Sequence, residues 1–336
     1  MLDALSKTRP GIANREVSDQ SSFFYFAQDY IWTDNDELSI CQKFKSNIGG
    51  GIKAQEFYDL ISKLPFEHIF IEQQDETIFI TDEATFKAQI KIIEPKKEQA
   101  IKPPAKNSKQ WSKLPDEFTK AATFCTFTAG KNMQKPALTC VWFTNDDDGA
   151  VAISCDGFRG TTYYFGENDK FEKPFLIPAS CAKHMALYNP VRYILTDSWV
   201  HFMNNEDTVL SCRILATEYP EEIWQFFTVE GLEIKLPDNF TSTVERASTI
   251  VSTEFEVDKT VKLILSDGKI KCKGEGPLGW IEEEKDIEYK GEKIEILVHP
   301  RLLLDILKYQ SAMTLGERLL FETDDFVHVV VLSESE

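Results

Sequence analysis

The sequence has no run of about 18 apolar residues, the length a helix needs to cross a bilayer. Its first residues, Met1-Leu-Asp-Ala-Leu-Ser-Lys, lack a basic stretch followed by an apolar core, so no secretion signal is expected. There is no Cys-x-x-Cys pair and no Cys/His set with zinc spacing, and the five histidines are scattered. Seven cysteines, an odd number, are expected to be buried or free thiols in a reducing, cytoplasmic compartment. The patterns G-x-x-x-x-G-K-S/T, H-E-x-x-H and G-x-S-x-G are missing, and with them three common catalytic frameworks. One pattern, Gly274-Glu-Gly276-Pro-Leu-Gly279, has dinucleotide-loop spacing. Pro277 stands where the required helix would run and Trp280 to Glu288 alternates like a strand, so that reading fails. Asp146-Asp-Asp148 reads as a hairpin turn rather than a metal site. No catalytic group, metal or cofactor is expected.

What is present is a repeat. The 336 residues suffice for two or three domains, and 42% hydrophobic with 27% charged residues is a globular balance. Ile52 to Pro65, Ile177 to Pro190 and Val298 to Tyr309 each read as a strand end followed by a short helix. Phe57, Leu60, Ile61 and Leu64 form an apolar stripe in the first copy, and Leu302, Leu303, Ile306 and Leu307 form one in the third. The near-constant spacing suggests one supersecondary unit written three times.

Other elements recur in the same order. Helices are expected over 1–15, 113–131 and 239–253, ahead of strand–turn–strand segments. Phe23 to Trp32 reads as one aromatic strand, followed by a turn at Asp34-Asn-Asp-Glu and a strand from Leu38. The turns at Asp36, Asp148 and Asp267 read as equivalent in the three units. Residues 94–111, rich in Pro and Lys, read as a solvated tether, with contact to DNA the weaker alternative. The expected architecture is therefore α+β. Three tandem domains, 1–95, 113–216 and 237–336, each have an antiparallel sheet with two helices on one face. A linker at 96–112 and a connector at 217–236 join them.

The net charge of −18 argues against a nucleic-acid partner if it is spread evenly. It is not evenly spread over the predicted elements. The six predicted helices sum to +5, which leaves −23 for everything else. A mildly positive helical face within an acidic body would bind phosphate without sequence preference.

Three local stretches give the pattern a family. Ala152-Ile-Ser-Cys-Asp156-Gly-Phe-Arg159-Gly, Arg213-Ile-Leu-Ala-Thr-Glu-Tyr-Pro220-Glu and Ile294-Glu-Ile-Leu-Val-His-Pro-Arg-Leu-Leu-Leu-Asp-Ile-Leu resemble signatures of the bacterial-type β sliding clamps, and in the same order. The resemblance covers nearly all of 1–332. It implies that each chain is half of a closed ring, a homodimer that encircles and slides on double-stranded DNA. Such a ring tethers a replicative DNA polymerase, is opened by a clamp loader, has no enzymatic activity and does not engage a membrane.

The resemblance also implies site residues. A hydrophobic pocket for short partner peptides, usually carrying Gln and Leu/Phe, falls at Leu138, Cys155, Gly157, Phe158, Arg159, Gly160, Pro220, Trp224, Val329 and Val331. Phe158 stands where the family usually has His and Gly160 where it has Leu. Trp224 and Gln225 stand where it tends to have Arg and Val, and the ending Leu332-Ser-Glu-Ser-Glu336 lacks the usual Met-Pro-Met-Arg-Leu. Such a lining implies a different peptide preference, as in a phage or plasmid clamp serving its own polymerase. DNA-facing positions are Arg15, Lys131, Asn132 and Lys135, with Lys183 and Arg192 added. Ile90, Ile92, Ile250 and Val251 are candidates for the dimer interface. Plain core is the alternative for those four and for Leu138, Val329 and Val331. A same-fold scaffold that does not encircle DNA, and an enzyme using an inter-domain groove, also remain open.

Overall fold

A computed structural model describes residues 1–13, 21–65, 68–82, 84–95, 104–105, 107–251 and 259–334. The expected linker at 96–112 and Arg15 lie largely or wholly outside that set. The chain divides into two compact units. Unit one comprises Met1–Thr123 and Phe175–Ala216, and unit two Phe124–Pro174 and Thr217–Glu336. The stretch 113–216 therefore contributes to both.

The first segment of unit one carries helices α1 (Leu2–Thr8) and α2 (Ala54–Lys63) and strands β1 (Phe23–Ala27), β2 (Tyr30–Asp34), β3 (Leu38–Lys43), β4 (Gly50–Lys53), β5 (Phe70–Gln74), β6 (Thr77–Thr81), β7 (Lys87–Lys91) and β8 (Ser112–Lys113). Helix α3 (Phe118–Cys125) follows, then β9 (Cys140–Asn145), β10 (Ala150–Cys155) and β11 (Arg159–Phe165) of unit two. The chain returns to unit one with β12 (Phe175–Pro178), α4 (Ala179–Ala182), α5 (Met185–Tyr188), β13 (Arg192–Leu195), β14 (Trp199–Met203) and β15 (Val209–Arg213). Unit two ends with α6 (Ile223–Phe226), β16 (Leu232–Lys235), α7 (Phe240–Ser248), β17 (Val261–Ser266), β18 (Lys269–Gly276), β19 (Gly279–Asp286), β20 (Ile294–Val298), α8 (Pro300–Ile306), β21 (Ala312–Leu315), β22 (Arg318–Glu322) and β23 (Phe326–Val331).

The sheets carry the repeat. Unit one contains the order β4-β1-β2-β3-β15-β14-β13-β8, and unit two contains β9-β10-β11-β23-β22-β21-β16. From β1 and from β9 onward the two orders match strand for strand. A four-stranded sheet β19-β18-β17-β20 and a three-stranded sheet β5-β6-β7 complete the set. The strand pairings among the described residues are antiparallel, as in β3 on β15 through Ser39↔Ser211 and β11 on β23 through Gly160↔Val329.

The repeated stretch holds up as β4 into α2, β12 into α4 and β20 into α8. Phe57 and Ile61 are buried on α2, and Leu303 and Ile306 on α8. Burying a side chain of this size is worth about 1.5–3 kcal/mol, so these stripes fix which face turns inward. The middle copy buries Cys181, Ala182, Met185 and Tyr188 but breaks into two short turns, closed by left-handed Asn189.

Several expectations need correction. The first helix stops at Thr8, and residues 9–11 form a 3-10 turn. Pro10 has no amide to continue the α ladder, and the Thr33 hydroxyl donates to the free Thr8 carbonyl at 2.6 Å. Phe23 to Trp32 is a hairpin, β1 on β2, around Gln28-Asp29. That turn has Asp29 but no Gly, Asn or Pro to advertise it. The expected turn register was accordingly one strand out: matching sheet order makes the Asp36 turn equivalent to the one at Gly157. Strands β11, β16 and β21 were not anticipated, whereas β19 matches the strand-like alternation from Trp280. The charge division also shrinks, because within the helix bounds α1–α8 five basic residues face five acidic ones. Lys53, Lys113, Lys131, Lys183 and Lys308 flank helices instead. Among the described residues no helix is long and apolar enough to cross a membrane.

The Gly274 motif is the β18–β19 hairpin, paired through Gly276↔Gly279. Gly274 is required by packing, since a Cβ there would overlap the Ala247 carbonyl of α7 and press on Ile250. Gly49 has open space around its Cα. Gly274→Ala is expected to cost about 1–3 kcal/mol, lowering the thermal midpoint by several degrees, while Gly49→Ala leaves it unchanged in differential scanning calorimetry.

Candidate peptide-binding face of unit two

The β10–β11 turn is built by one carboxylate. Asp156 Oδ1 accepts from the Phe158 and Arg159 amides at 2.9 Å each, and Gly157 takes φ 93°, open to glycine at little cost. The turn presents Phe158 to solvent at 54% exposure. The Val331 amide donates to the Phe158 carbonyl at 2.8 Å, tying the turn to the last strand.

Arg159 points inward. Its Nε donates to Asp156 at 3.2 Å, Nη1 to Asp305 at 2.7 Å and Nη2 to the Phe127 carbonyl at 2.6 Å. Behind it, His328 is fully buried, stacks on Phe127 at 5.4 Å and shares a 2.8 Å hydrogen bond with Thr161. The ring's Nε2 has no hydrogen-bond partner among the described residues.

Beside the turn, the backbone at Gly160 is covered by two rings. An added Cβ would lie 3.0 Å from Phe227 and 3.1 Å from Phe226. These rings pack on Leu320, Val327 and Val329, so Val329 is the floor of an apolar cluster. Arg318 pins α6 above it, donating to the Phe226 carbonyl at 2.7 Å and lying 5.1 Å over the Phe226 ring. Trp224, 40% exposed, leans on Trp142, which stacks on Tyr219 at 5.3 Å. Cys155 is buried, and burial pushes its thiol up to about 11, so it packs rather than reacts. Leu138 is half-buried near Asp156, with its carbonyl held by the Gly130 amide at 2.7 Å. Pro220 is exposed and Val331 half-buried.

Sequence reasoning thus placed the turn, Gly160 and Val329 at one face, but it missed Trp142, Phe226, Phe227, Asp305, Arg318 and His328. The aromatic run Trp224-Gln-Phe-Phe227 was the available signal for α6. Nothing local in the sequence joins Asp305 or His328 to Arg159.

Unit one supplies an internal comparison. The Asn35 side chain accepts from the Glu37 and Leu38 amides, and the Arg213 amide donates to the Glu37 carbonyl at 2.8 Å. The backbone is that of the Asp156 turn. Where unit two has Phe158, Arg159, Gly160, Val329 and Val331, unit one has Glu37, Leu38, Ser39, Ser211 and Arg213. The apolar face exists at one of two matching joints.

The other candidates lie elsewhere. Lys131, Asn132 and Lys135 are exposed on the loop 129–135 of unit two. Lys183, between α4 and α5, and Arg192, opening β13, are exposed on unit one. Ile90 faces inward, paired with fully buried Ile78, and Ile92 belongs to the core of unit one. Val251 is buried, and Ile250 lies over Gly274. Ile92 and Val251 are therefore buried within the single chain, while Ile90 and Ile250 are half-buried. Asp146 Oδ1 accepts from the Asp148 and Gly149 amides, which makes that acidic run a turn. The described residues include no cluster of His, Cys, Asp and Glu suited to a metal.

Burial, and then the charge of Arg159, pushes His328 down from 6.5 to about 3. The stability its neutral ring contributes is complete above pH 6.5 and is lost as pH falls toward 3. Urea unfolding at pH 5 should show roughly 2 kcal/mol less stability from this residue than at pH 7. His328→Gln should remove most of that difference.

No protein-family model and no curated protein matches this chain. Solved structures do. The Streptococcus pneumoniae DNA polymerase III β chain superposes with a TM-score of 0.84 at 18% identity, over 99% of this chain and 97% of that one. The DNA polymerase sliding clamp of Bacillus subtilis gives 0.84 at 15%, over 100% and 97%. The Bartonella birtlesii sliding clamp, bound to griselimycin, gives 0.85 at 18%, over 99% and 97%. Over nearly its whole length, this chain has the fold of the bacterial DNA polymerase III β sliding clamp.

Proposed function

We propose that this chain is a DNA polymerase processivity factor. Two copies, each of three domains bounded near 1–95, 113–216 and 237–336, close into a ring around duplex DNA. The ring makes and breaks no covalent bond. It holds a polymerase on DNA because a closed circle cannot fall off a long duplex.

The observation that carries this reading is a leftover pair of strand edges. The chain makes the same joint twice, β3 on β15 and β11 on β23. By sheet order β19 is the third counterpart of β3 and β11, and β7 is the counterpart of β15 and β23. Both sit at sheet edges. An exposed edge invites strand addition. A second copy supplies it, head to tail, and the closed symmetry uses both edges. The charges agree. Strand β7 carries Lys87 and Lys91 with no acid, and β19 carries Glu282, Glu283, Glu284 and Asp286 against Lys285. Lysines of β18 already contact Glu282 and Glu284, so the gain across the joint is in steering and register more than in affinity. Exposed Phe79, Leu278 and Trp280 lie on or beside these strands and are better interface candidates than the buried Ile92 and Val251.

Within the ring, Lys131, Asn132, Lys135, Lys183 and Arg192 touch phosphates through water, which binds without reading sequence and lets the ring slide. The negative remainder of the chain keeps duplex from adhering elsewhere. The face at Phe158, Gly160 and Trp224 takes peptides from the polymerase and the clamp loader, with Phe226 and Phe227 filling space beside Gly160.

Light scattering should give a dimer. The double variant Lys87→Glu, Lys91→Glu should weaken dimerisation by about tenfold or more. Adding Glu282→Lys and Glu284→Lys should recover part of it. After loading, the protein should stay on circular DNA and leave linearised DNA. Equal, salt-labile loss from both forms, or a stable monomer, would defeat the ring.

A further inference from the structure

Arg159 is an expensive residue to bury. A desolvated guanidinium costs several kcal/mol unless its donors are matched. Here the side chain is 9% exposed and makes three separate hydrogen bonds. The matching joint in unit one reaches the same backbone geometry with Leu38, 2% exposed and uncharged. The joint therefore does not need an arginine. The charge occurs where the apolar face occurs.

The three acceptors lie in different parts of unit two. Asp156 belongs to the turn that presents Phe158. The Phe127 carbonyl ends the 3-10 turn 126–128, at the root of the loop 129–135 with its exposed Lys131 and Lys135. Asp305 lies on α8, where its other oxygen meets Lys308 at 3.4 Å. Phe127 is gripped twice, since its ring lies 5.4 Å under the Arg159 guanidinium and 5.4 Å from His328. His328 in turn bonds Thr161, two residues past Arg159.

We infer that Arg159 is a positioning residue that couples the peptide face to the loop 129–135, so that a peptide bound at Phe158 orders the loop carrying Lys131 and Lys135. The inference rests on the peptide-binding role proposed above. Each of its three nitrogens is bonded and its side chain is inward, so Arg159 holds the Phe158 turn. A ligand that seats Phe158 fixes the Asp156 turn. The guanidinium transmits that restraint to Phe127 and α8, because its planar fork cannot follow one acceptor without moving against the others. Ordering the loop in advance lowers the entropy cost of its phosphate contacts, which is positive coupling without a large change of shape.

Hydrogen–deuterium exchange on the full chain tests this, with a short synthetic peptide containing Gln, Leu and Phe as the probe and fluorescence polarisation to establish saturation. Amide exchange over residues 127–138 is expected to slow by about threefold or more on saturation. In Asp305→Asn and Asp305→Ala, each checked for an unchanged circular dichroism spectrum, the peptide should still bind while the slowing over 127–138 falls to less than half. Unchanged exchange in the parent chain at saturation would overturn the coupling and leave the peptide site standing. An undiminished effect in both variants would overturn the role of Arg159. Failure of the parent chain to bind any such peptide would overturn the pocket and the coupling with it.

Discussion

A β-strand edge carries a row of amide and carbonyl groups that must be paired, covered or left as a binding surface. That constraint organises this chain. Twice it is met inside the polypeptide, where β3 takes β15 and β11 takes β23, and each joint turns two small sheets into one long one. A lone two-stranded hairpin is marginal, and each strand added to a sheet gives it more ladder and more apolar face to pack. Joined, the small sheets share a ladder such as Leu38↔Cys212 to Val209↔Cys41, and the apolar residues beneath pack as a continuous layer. The helices are secondary to this. They are short, few and amphipathic, and they cover the sheets rather than direct them.

The same constraint explains why one backbone plan carries different surfaces. The Asn35 turn and the Asp156 turn are made by the same side-chain-to-amide bonds and the same tie from the neighbouring strand. Side chains at the joint are then free to vary, because the ladder is made by the backbone. Unit one uses that freedom for Glu37 and Arg213, with Arg213 lying 4.6 Å over Trp199. Unit two uses it for Phe158, Gly160 and a valine floor. The apolar face is thus a side-chain decision made on a joint that exists for another reason.

How much of this was legible follows from the range of each signal. The α+β class, the antiparallel sheets and the repeated strand-into-helix stretch were readable because their periodicity is local. The Gln28-Asp29 turn was not, since it lacks Gly, Asn and Pro, and overlooking it shifted the turn register by one strand. Strand β11 was hidden by its own burial: six of its seven residues are buried, so it shows no alternation to read. Within the site, Gly160 and Val329 were found through likeness to a known family. Asp305 was not, because it lies 146 positions from its partner Arg159 and only folding joins them. The packing of Ile90 and Ile92 was hidden for a related reason. Their apolar character is visible in the sequence, but their side of the sheet is set by pairing with β6, and that side is the core.

Charge is the least local property of all, and here it changes meaning with the fold. Counted over predicted helices, the positive residues seemed to form a layer. Counted over the helices themselves, the charges cancel, and the lysines move to helix ends and loops. For a partner held by base-specific hydrogen bonds, such a shift would be fatal, because readout needs side chains fixed in place. For a duplex that must slide it is favourable. In the proposed ring, lysines on flexible stems at loop positions would give contacts that are numerous, weak and exchangeable, with an affinity that falls with salt rather than with a change of sequence. The rigid charges of the molecule are elsewhere. Buried Arg159 is bonded through each of its three nitrogens, to Asp156, Asp305 and the Phe127 carbonyl, a geometry suited to passing a restraint from one element to another. The fold thus separates charges that must yield from charges that must not.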